Sequence, residues 1–215
     1  MTAVMTDVVY RPYAATDTED IKRIINESFY IHRYVKGDRL LDSVLEIYLR
    51  ERLLASTWAR VAVRDGHVVG IIMGQVDGEH KLSGGPRNRI QMWAHMARAG
   101  LLGLRQWRSM RQFFAISDVY RELRARTSAP LTDELTLFAV AASTRGLGVG
   151  KRLYGDYLDH VRTRGRSDYF LYTDSLCTFE FYERQGMVRA ASGDMTVYLD
   201  GQAETLDVYL YTGSI

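Results

Sequence analysis

The chain has one cysteine in 215 residues. Cys177 alone excludes an intrachain disulfide and any zinc site built on cysteines, and a chain of this length buries roughly 70% of its unfolded surface without needing a covalent staple. A reducing, cytoplasmic setting is the expectation. No stretch reaches the ~18 apolar residues of a membrane helix, and the opening Met1-Thr-Ala-Val-Met-Thr-Asp7 lacks the basic start and apolar core of an export signal. Neither a membrane span nor export is expected. His32, His67, His80, His95 and His160 follow no metal-ligand spacing, so no metal is expected, and His160 is placed on the exposed side of its helix. Ser143 lacks a Gly-x-Ser-x-Gly elbow and Cys177 has no evident partner, which leaves no nucleophile constellation. Cys177 reads as a small buried residue. There is no internal repeat and no low-complexity tract.

What the chain does have is the run from Glu134 to Lys151, Glu-Leu-Thr-Leu-Phe-Ala-Val-Ala-Ala-Ser-Thr-Arg-Gly-Leu-Gly-Val-Gly-Lys. Leu135, Leu137 and Ala139 alternate with Thr136, Phe138 and Val140, the pattern of a central strand. Gly146, Gly148 and Gly150 then let backbone N–H groups converge without Cβ interference, and Lys151-Arg152-Leu153 opens an amphipathic helix. Such a turn attracts phosphate. A Walker loop is excluded because Arg145 and Arg152 stand where it needs glycine and Ser or Thr. A dinucleotide fingerprint is excluded because Lys151 stands at its third glycine. A glycine-rich turn with no ligand is the bland alternative.

The remaining pattern, Arg145-x-x-Gly148-x-Gly150, resembles the pyrophosphate loop of the GNAT superfamily, the acyl-CoA-dependent N-acetyltransferases. Its flanks extend the likeness over residues 134–190. Glu134–Val140 resembles the family's fourth strand, Asp168–Asp174 is a further apolar strand, and Phe181-Tyr182-x-x-x-Gly186-Met187 resembles its Phe-Tyr-x-x-x-Gly-Phe signature, with Met187 in place of the aromatic. Gly186 independently reads as the left-handed residue ending a short helix.

Along the rest of the chain, Val8–Arg11 reads as a first strand and Thr16-Asp-Thr-Glu19 as a capping box ahead of Ile21, Ile24, Ile25 and Phe29. A second helix is expected from Asp38 to Ala55. Thr57–Val63 and His67–Val76 form a hairpin around Asp65-Gly66, and Met195–Leu199 and Leu206–Tyr211 pair around Asp200-Gly201. The order β-α-α-β-β then β-α-β-α-β is the family's chain order. The resemblance therefore implies one α/β (α+β) domain over residues 1–215: a central mixed, mostly antiparallel twisted sheet, splayed between strands four and five and flanked by helices.

One departure is large. A helical insertion over residues 79–130 separates strands three and four, with helices expected from Met92 to Phe114 and from Ser117 to Arg126. Lys81, Arg87, Arg89, Arg98, Arg105, Arg108, Arg111, Arg121, Arg124 and Arg126 stand there against only Glu79, Asp118 and Glu122. The bland reading is a solvated basic face whose apolar side packs on its own domain. A membrane surface or anionic partner, an acidic substrate, a homodimer seam or a wall of the acceptor site are the alternatives. No recognition motif accompanies the charge, so no nucleic-acid partner is expected.

The activity implied is direct transfer of an acetyl group from acetyl-CoA, as co-substrate, to an amine on a small molecule or peptide. By that resemblance Glu134 is the general base and Tyr182 the general acid that protonates the leaving thiolate. A backbone amide near Val140 donates to the oxyanion, and Phe138 and Val140 run beside the pantetheine. Gly146, Leu147, Gly148, Val149, Gly150 and Lys151 hold the diphosphate through their amides, with Arg145 and Arg152 adding charge. Ser175 occupies the place of a CoA-contacting asparagine, and Ala142 the place of a proline at the strand's exit. Phe29, Tyr30, His32 and Tyr34 fall on the acceptor side. A non-catalytic acyl-CoA-binding regulatory or interaction protein is the alternative class.

Overall fold

The computed structural model describes residues 7–144 and 146–215, with side chains omitted at 105, 107–111, 113 and 114. The chain runs β1 (Val9–Pro12), α1 (Thr18–Phe29), the one-turn α2 (Ile31–Tyr34), α3 (Asp38–Ala55), β2 (Trp58–Arg64) and β3 (His67–Gln75). Next come α4 (Gly85–Leu102), α5 (Trp107–Ala125), β4 (Glu134–Val140), α6 (Val149–Thr163), β5 (Asp168–Asp174), α7 (Glu180–Arg184), β6 (Val188–Leu199) and β7 (Gln202–Ser214). The strands form one sheet in the order β1-β2-β3-β4-β5-β7-β6. Every neighbouring pair is antiparallel except β4 and β5, which are parallel. The expected mixed, splayed sheet is thus the observed one.

The hairpin turns follow their residues. Asp65 and Gly66 both take positive φ (53° and 80°), as do Asp200 and Gly201 (54° and 87°), the handedness that matches strand twist. β6 and β7 extend well beyond the expected strands, pairing from Val188↔Thr212 to Leu199↔Gln202. The start of α1 differs from the expected capping box. Asp17, rather than Glu19, is the acid that reaches back, accepting the N–H of Ala14 and not of Thr16 at 2.8 Å, and a short 3-10 turn precedes the helix.

The helices between β3 and β4 also differ in their boundaries. α4 begins seven residues earlier than expected, because Gly84 takes φ 85° and Pro86 sits in the first turn, where a missing N–H is tolerated. It ends at Gly103, so the break falls there and not near residue 115. α4 packs along α3, and α5 lies on β6 and β7, where the buried Gln112 accepts the Tyr198 N–H at 2.7 Å.

The larger core gathers Ile21, Ile24 and Ile25 of α1, Leu49 and Leu53 of α3, β3 and Leu153 and Tyr157 of α6. Gly70 and Gly74 let α6 approach β3 closely: a Cβ on Gly74 would fall 2.3 Å from Tyr157. A second core joins Leu123 of α5 to Phe170, Val208 and Leu210. The buried Lys22 ammonium bridges Asp42 (2.8 Å) and Glu46 (3.2 Å), tying α1 to α3. This fixes both helices beside the open part of the sheet.

Candidate active site

β4 and β5 touch at one end only. The Phe170 N–H donates to the Asp133 carbonyl at 2.9 Å, Glu134↔Phe170 is their sole registered pair, and from there the strands part toward Val140 and Asp174. One side of β4 stays paired: the Ala141 N–H donates to Val69 of β3 at 2.9 Å. Because successive amides in a strand point to opposite sides, those of Val140 and Phe138 face the opening. Among the described residues they are unpaired donors along the edge of a gap.

The mouth of the gap is the turn into α6. Gly146 and Gly148 take φ of 80° and 73°, and α6 starts at Val149 with no side-chain cap. Arg152 makes the first helical bond, its N–H to the Gly148 carbonyl at 3.0 Å. Among the described residues the N–H groups of Gly148, Val149, Gly150 and Lys151 have no acceptor. Free amides at the positive end of a helix dipole suit an anion. A Cβ on Gly150 would point at Phe138 and Val140, 3.5 and 3.6 Å away, so the helix start looks down the gap. At the strand's exit, where Ala142 replaces the usual proline, its N–H is held instead by Glu27 of α1 at 2.9 Å.

The charged neighbours of this loop are placed differently from the expectation. The Arg152 guanidinium runs along α6 to Asp156 (3.0 Å) and lies 5.6 Å over the Tyr10 ring. Asp156, four residues on, is the anion within its reach, and the positive end of a helix offers a guanidinium none. Arg145 lies outside the described residues. The Ser175 hydroxyl accepts the Asp207 N–H at 3.2 Å, which ties it to β7. His160 is not exposed: it stacks on Trp58 (5.0 Å between centroids) and meets Glu79 at 3.2 Å, because α6 turns this face to β2.

Deeper in, α7 presses Phe181 and Tyr182 against Phe138, with centroids 5.4 and 6.5 Å apart. Gly186, at φ 84°, ends the helix and returns the chain to β6. Tyr182 is buried, and its hydroxyl has no hydrogen-bond partner among the described residues. Burial, then the nearby Cys177, Tyr48 and Asp174, push its pKa well above the ordinary value, so it keeps its proton. The Cys177 thiol is likewise pushed up, by burial and then by Asp174, which makes it a poor nucleophile.

Glu134 stands at the closed end. Its neighbour Asp133 takes the structural bonds, accepting Asp77 N–H at 2.7 Å and Arg166 at 3.1 Å, while Glu134 itself makes no hydrogen bond or ion pair among the described residues. Burial raises its carboxyl above the usual range, and Arg52, Arg124 and Lys81 pull against that without cancelling it. The geometry thus gives a half-buried, unengaged carboxylate with a raised pKa.

Sequence reasoning missed most of the wall opposite the loop. Tyr120 of α5 stacks on Tyr172 of β5 at 4.1 Å and 15°. Tyr48 of α3 lies 5.7 Å from Phe29, and its phenol is pushed up to about 12 by burial. The Arg52 guanidinium sits 5.4 Å over Tyr48, with a buried Nε that has no partner among the described residues. Tyr34 belongs here too, its phenol raised by burial and by Asp174. Tyr30 and His32 lie further out: Tyr30 is at the left-handed start of α2, and the His32 ring bonds Asn26 at 3.2 Å. The one available signal was Tyr48 and Arg52 sharing a face of α3. Nothing in the sequence joins Tyr120 to β5.

No family model and no curated protein matches the chain. Solved structures do. It is similar over 97% of its length to 94% of the ribosomal-protein-S18-alanine N-acetyltransferase of Escherichia coli (12% identity, TM-score 0.55). It is similar over 97% to 99% of an N-acetyltransferase from Staphylococcus aureus Mu50 (14%, 0.54). It also matches over 97% of its length 99% of a GNAT-family protein from Desulfovibrio desulfuricans (17%, 0.53). The chain therefore has the GNAT superfamily fold; at these identities the likeness is one of fold.

Proposed function

We propose that the chain is an acyl-CoA-dependent N-acetyltransferase that moves an acetyl group directly from acetyl-CoA to a primary amine. The observation that carries this is the parting of β4 from β5, which leaves a row of unpaired amides ending at four uncapped amides of α6. Those four groups and Gly146 before them suit a diphosphate, and the β4 edge suits the amide groups of a pantetheine arm added as a false strand. Acetyl-CoA supplies an activated thioester carbonyl.

The chain's own residues supply the rest. Glu134, unengaged and with a raised pKa, takes a proton from the incoming amine, whose lone pair is otherwise tied up near neutral pH. The Phe138 N–H, which faces the gap beside Tyr182 and nearer Glu134 than the Val140 N–H does, donates to the carbonyl oxygen as charge develops there. Tyr182, held protonated, gives its proton to the departing sulfur. Tyr48, Tyr120 and Tyr172 form an aromatic wall on which the acceptor rests. The protonated Cys177 thiol favours this direct route over a covalent relay through the protein.

The test is coenzyme A binding by calorimetry together with thiol release from acetyl-CoA across an amine panel. Saturable binding and amine-dependent thiol release are expected. Binding without release for any amine would leave a non-catalytic acyl-CoA-binding protein, and no binding would end both readings.

A further inference from the structure

α4 is apolar on the side turned away from the protein. Its inner side meets α3 largely through polar groups: Arg50 donates to the buried Asn88 at 3.1 Å, and Arg98 meets Asp42 at 3.1 Å. Its outer side carries Ile90 (70% exposed), Trp93 (61%) and Leu101 (76%), and Leu104 (75%) follows in the 3-10 turn just past its end. Exposed Ala94, Ala97 and Gly100 lie between them, so no polar residue breaks that line. The positions recur at helical spacing, which makes this a face and not scattered residues. A helix of a water-facing surface shows the reverse pattern.

The segment that carries this face is of one sign in sequence. From His80 to Ser117 there is no Asp or Glu, while Lys81, Arg87, Arg89, Arg98, Arg105, Arg108 and Arg111 all fall there. Arg87 and Arg89 border Ile90 on the exposed side and have no acidic partner among the described residues. The end of the helix is held firmly. Gln106 accepts the Lys36 N–H and donates to the Lys36 carbonyl, both at 2.8 Å, which pins the Leu101–Leu104 tip to the loop before α3.

We propose that this face and tip dock on an anionic lipid surface, with Trp93, Ile90, Leu101 and Leu104 in the headgroup boundary and the arginines on the lipid phosphates. An exposed tryptophan with aliphatics, bordered by Arg87 and Arg89 on a helix that carries no acid of its own, is the composition of a helix lying in a bilayer interface. A second copy of the chain would set arginine against arginine. Nucleic acid would leave the aliphatic side chains in water. Each basic group near an anionic bilayer contributes about 1 kcal/mol, roughly fivefold in affinity, so the charge dependence is steep.

Co-sedimentation of the full chain with vesicles tests this, comparing phosphatidylcholine alone with phosphatidylcholine carrying phosphatidylglycerol, at low and high salt. At least about tenfold tighter binding to the anionic vesicles is expected, weakening with salt. The double variant Trp93→Glu/Leu101→Glu should lose it while keeping its circular dichroism and its coenzyme A affinity. The latter readout keeps this proposal separate from the catalytic one. No preference for anionic vesicles, or full binding by the double variant, overturns it. So does a dimer in light scattering that the double variant dissolves, since the face would then belong to a second copy.

Discussion

The two walls of the opening are made of different materials. The wall toward α6 is backbone, contributed by one unbroken stretch from Phe138 to Lys151, and its working groups are amides exposed by a strand edge and a helix start. The opposite wall is side chains brought from α3, α5, β5 and α7, with Tyr48, Arg52, Tyr120, Tyr172 and Tyr182 arriving from distant parts of the chain. The first wall depends on what is absent, namely Cβ atoms and capping partners. The second depends on phenols and a guanidinium that the fold buries without fully bonding. Substitutions should therefore separate the walls, one affecting coenzyme A binding and the other turnover.

The largest effect is expected at Tyr182. Tyr182→Phe keeps the ring packed on Phe138 and Phe181 and removes only a hydroxyl with no hydrogen-bond partner among the described residues, so the fold should stand. Loss of the proton donor should lower kcat by about 10²–10⁴-fold, with coenzyme A affinity unchanged. Stopped-flow thiol release and calorimetry on the same variant check this. A kcat within twofold of the parent would leave Tyr182 a packing residue.

The contrast also explains what was readable in advance. The loop, β4 and the Phe-Tyr helix are local patterns: alternation, glycine spacing and a helix-ending glycine are all set within a few residues, and the structure has these elements at the expected positions. α3 is likewise bounded as its periodicity predicts, from Asp38 to Ala55. The Tyr120–Tyr172 stack was invisible because it joins α5 to β5 across the chain, and no spacing encodes such a contact. The break in the helical segment at Gly103 was missed for another reason. The apolar residues on both sides of it read as one continuous stripe, since the exposed Leu101, Leu102 and Leu104 carry an apolar run past the end of α4. Arg152 was placed by proximity to the loop, and the carboxylate four residues on decided its direction.

On the backbone wall, Gly150→Asp should give opposite signs for stability and binding. The new Cβ meets Phe138 and Val140 at ordinary contact distance, and a carboxylate in the first turn of a helix favours folding by about 0.3–1 kcal/mol. The same carboxylate repels a diphosphate at those amides, weakening coenzyme A affinity on the order of tenfold to a hundredfold. An unchanged or raised melting temperature with weakened coenzyme A is the expected pair of results. Unchanged affinity would remove the α6 start from the cofactor site and collapse the contrast between the walls.

The smallest effect is expected at Arg52, and it reads as a displacement on the pH axis. Burial raises the Glu134 carboxyl, and the Arg52 cation is the first of the groups that lower it. Removing that cation in Arg52→Met should raise Glu134 further and move the acid limb of kcat/KM to higher pH, leaving the rate at high pH within a few-fold. Folding follows with its own sign. A carboxyl whose folded-state pKa lies above that of the unfolded chain favours the folded state fully at low pH and loses that contribution as pH rises through the folded value. Glu134→Gln cannot ionise, so it should flatten the acid limb and, relative to the parent, gain stability as pH rises. Arg52→Met leaves a thioether in place of a guanidinium whose Nε had no partner among the described residues, so a general loss of fold is not expected. If the acid limb stays where it was in Arg52→Met while Glu134→Gln abolishes it, Glu134 keeps its role and Arg52 acts on the acceptor instead, which a rise in amine KM would show.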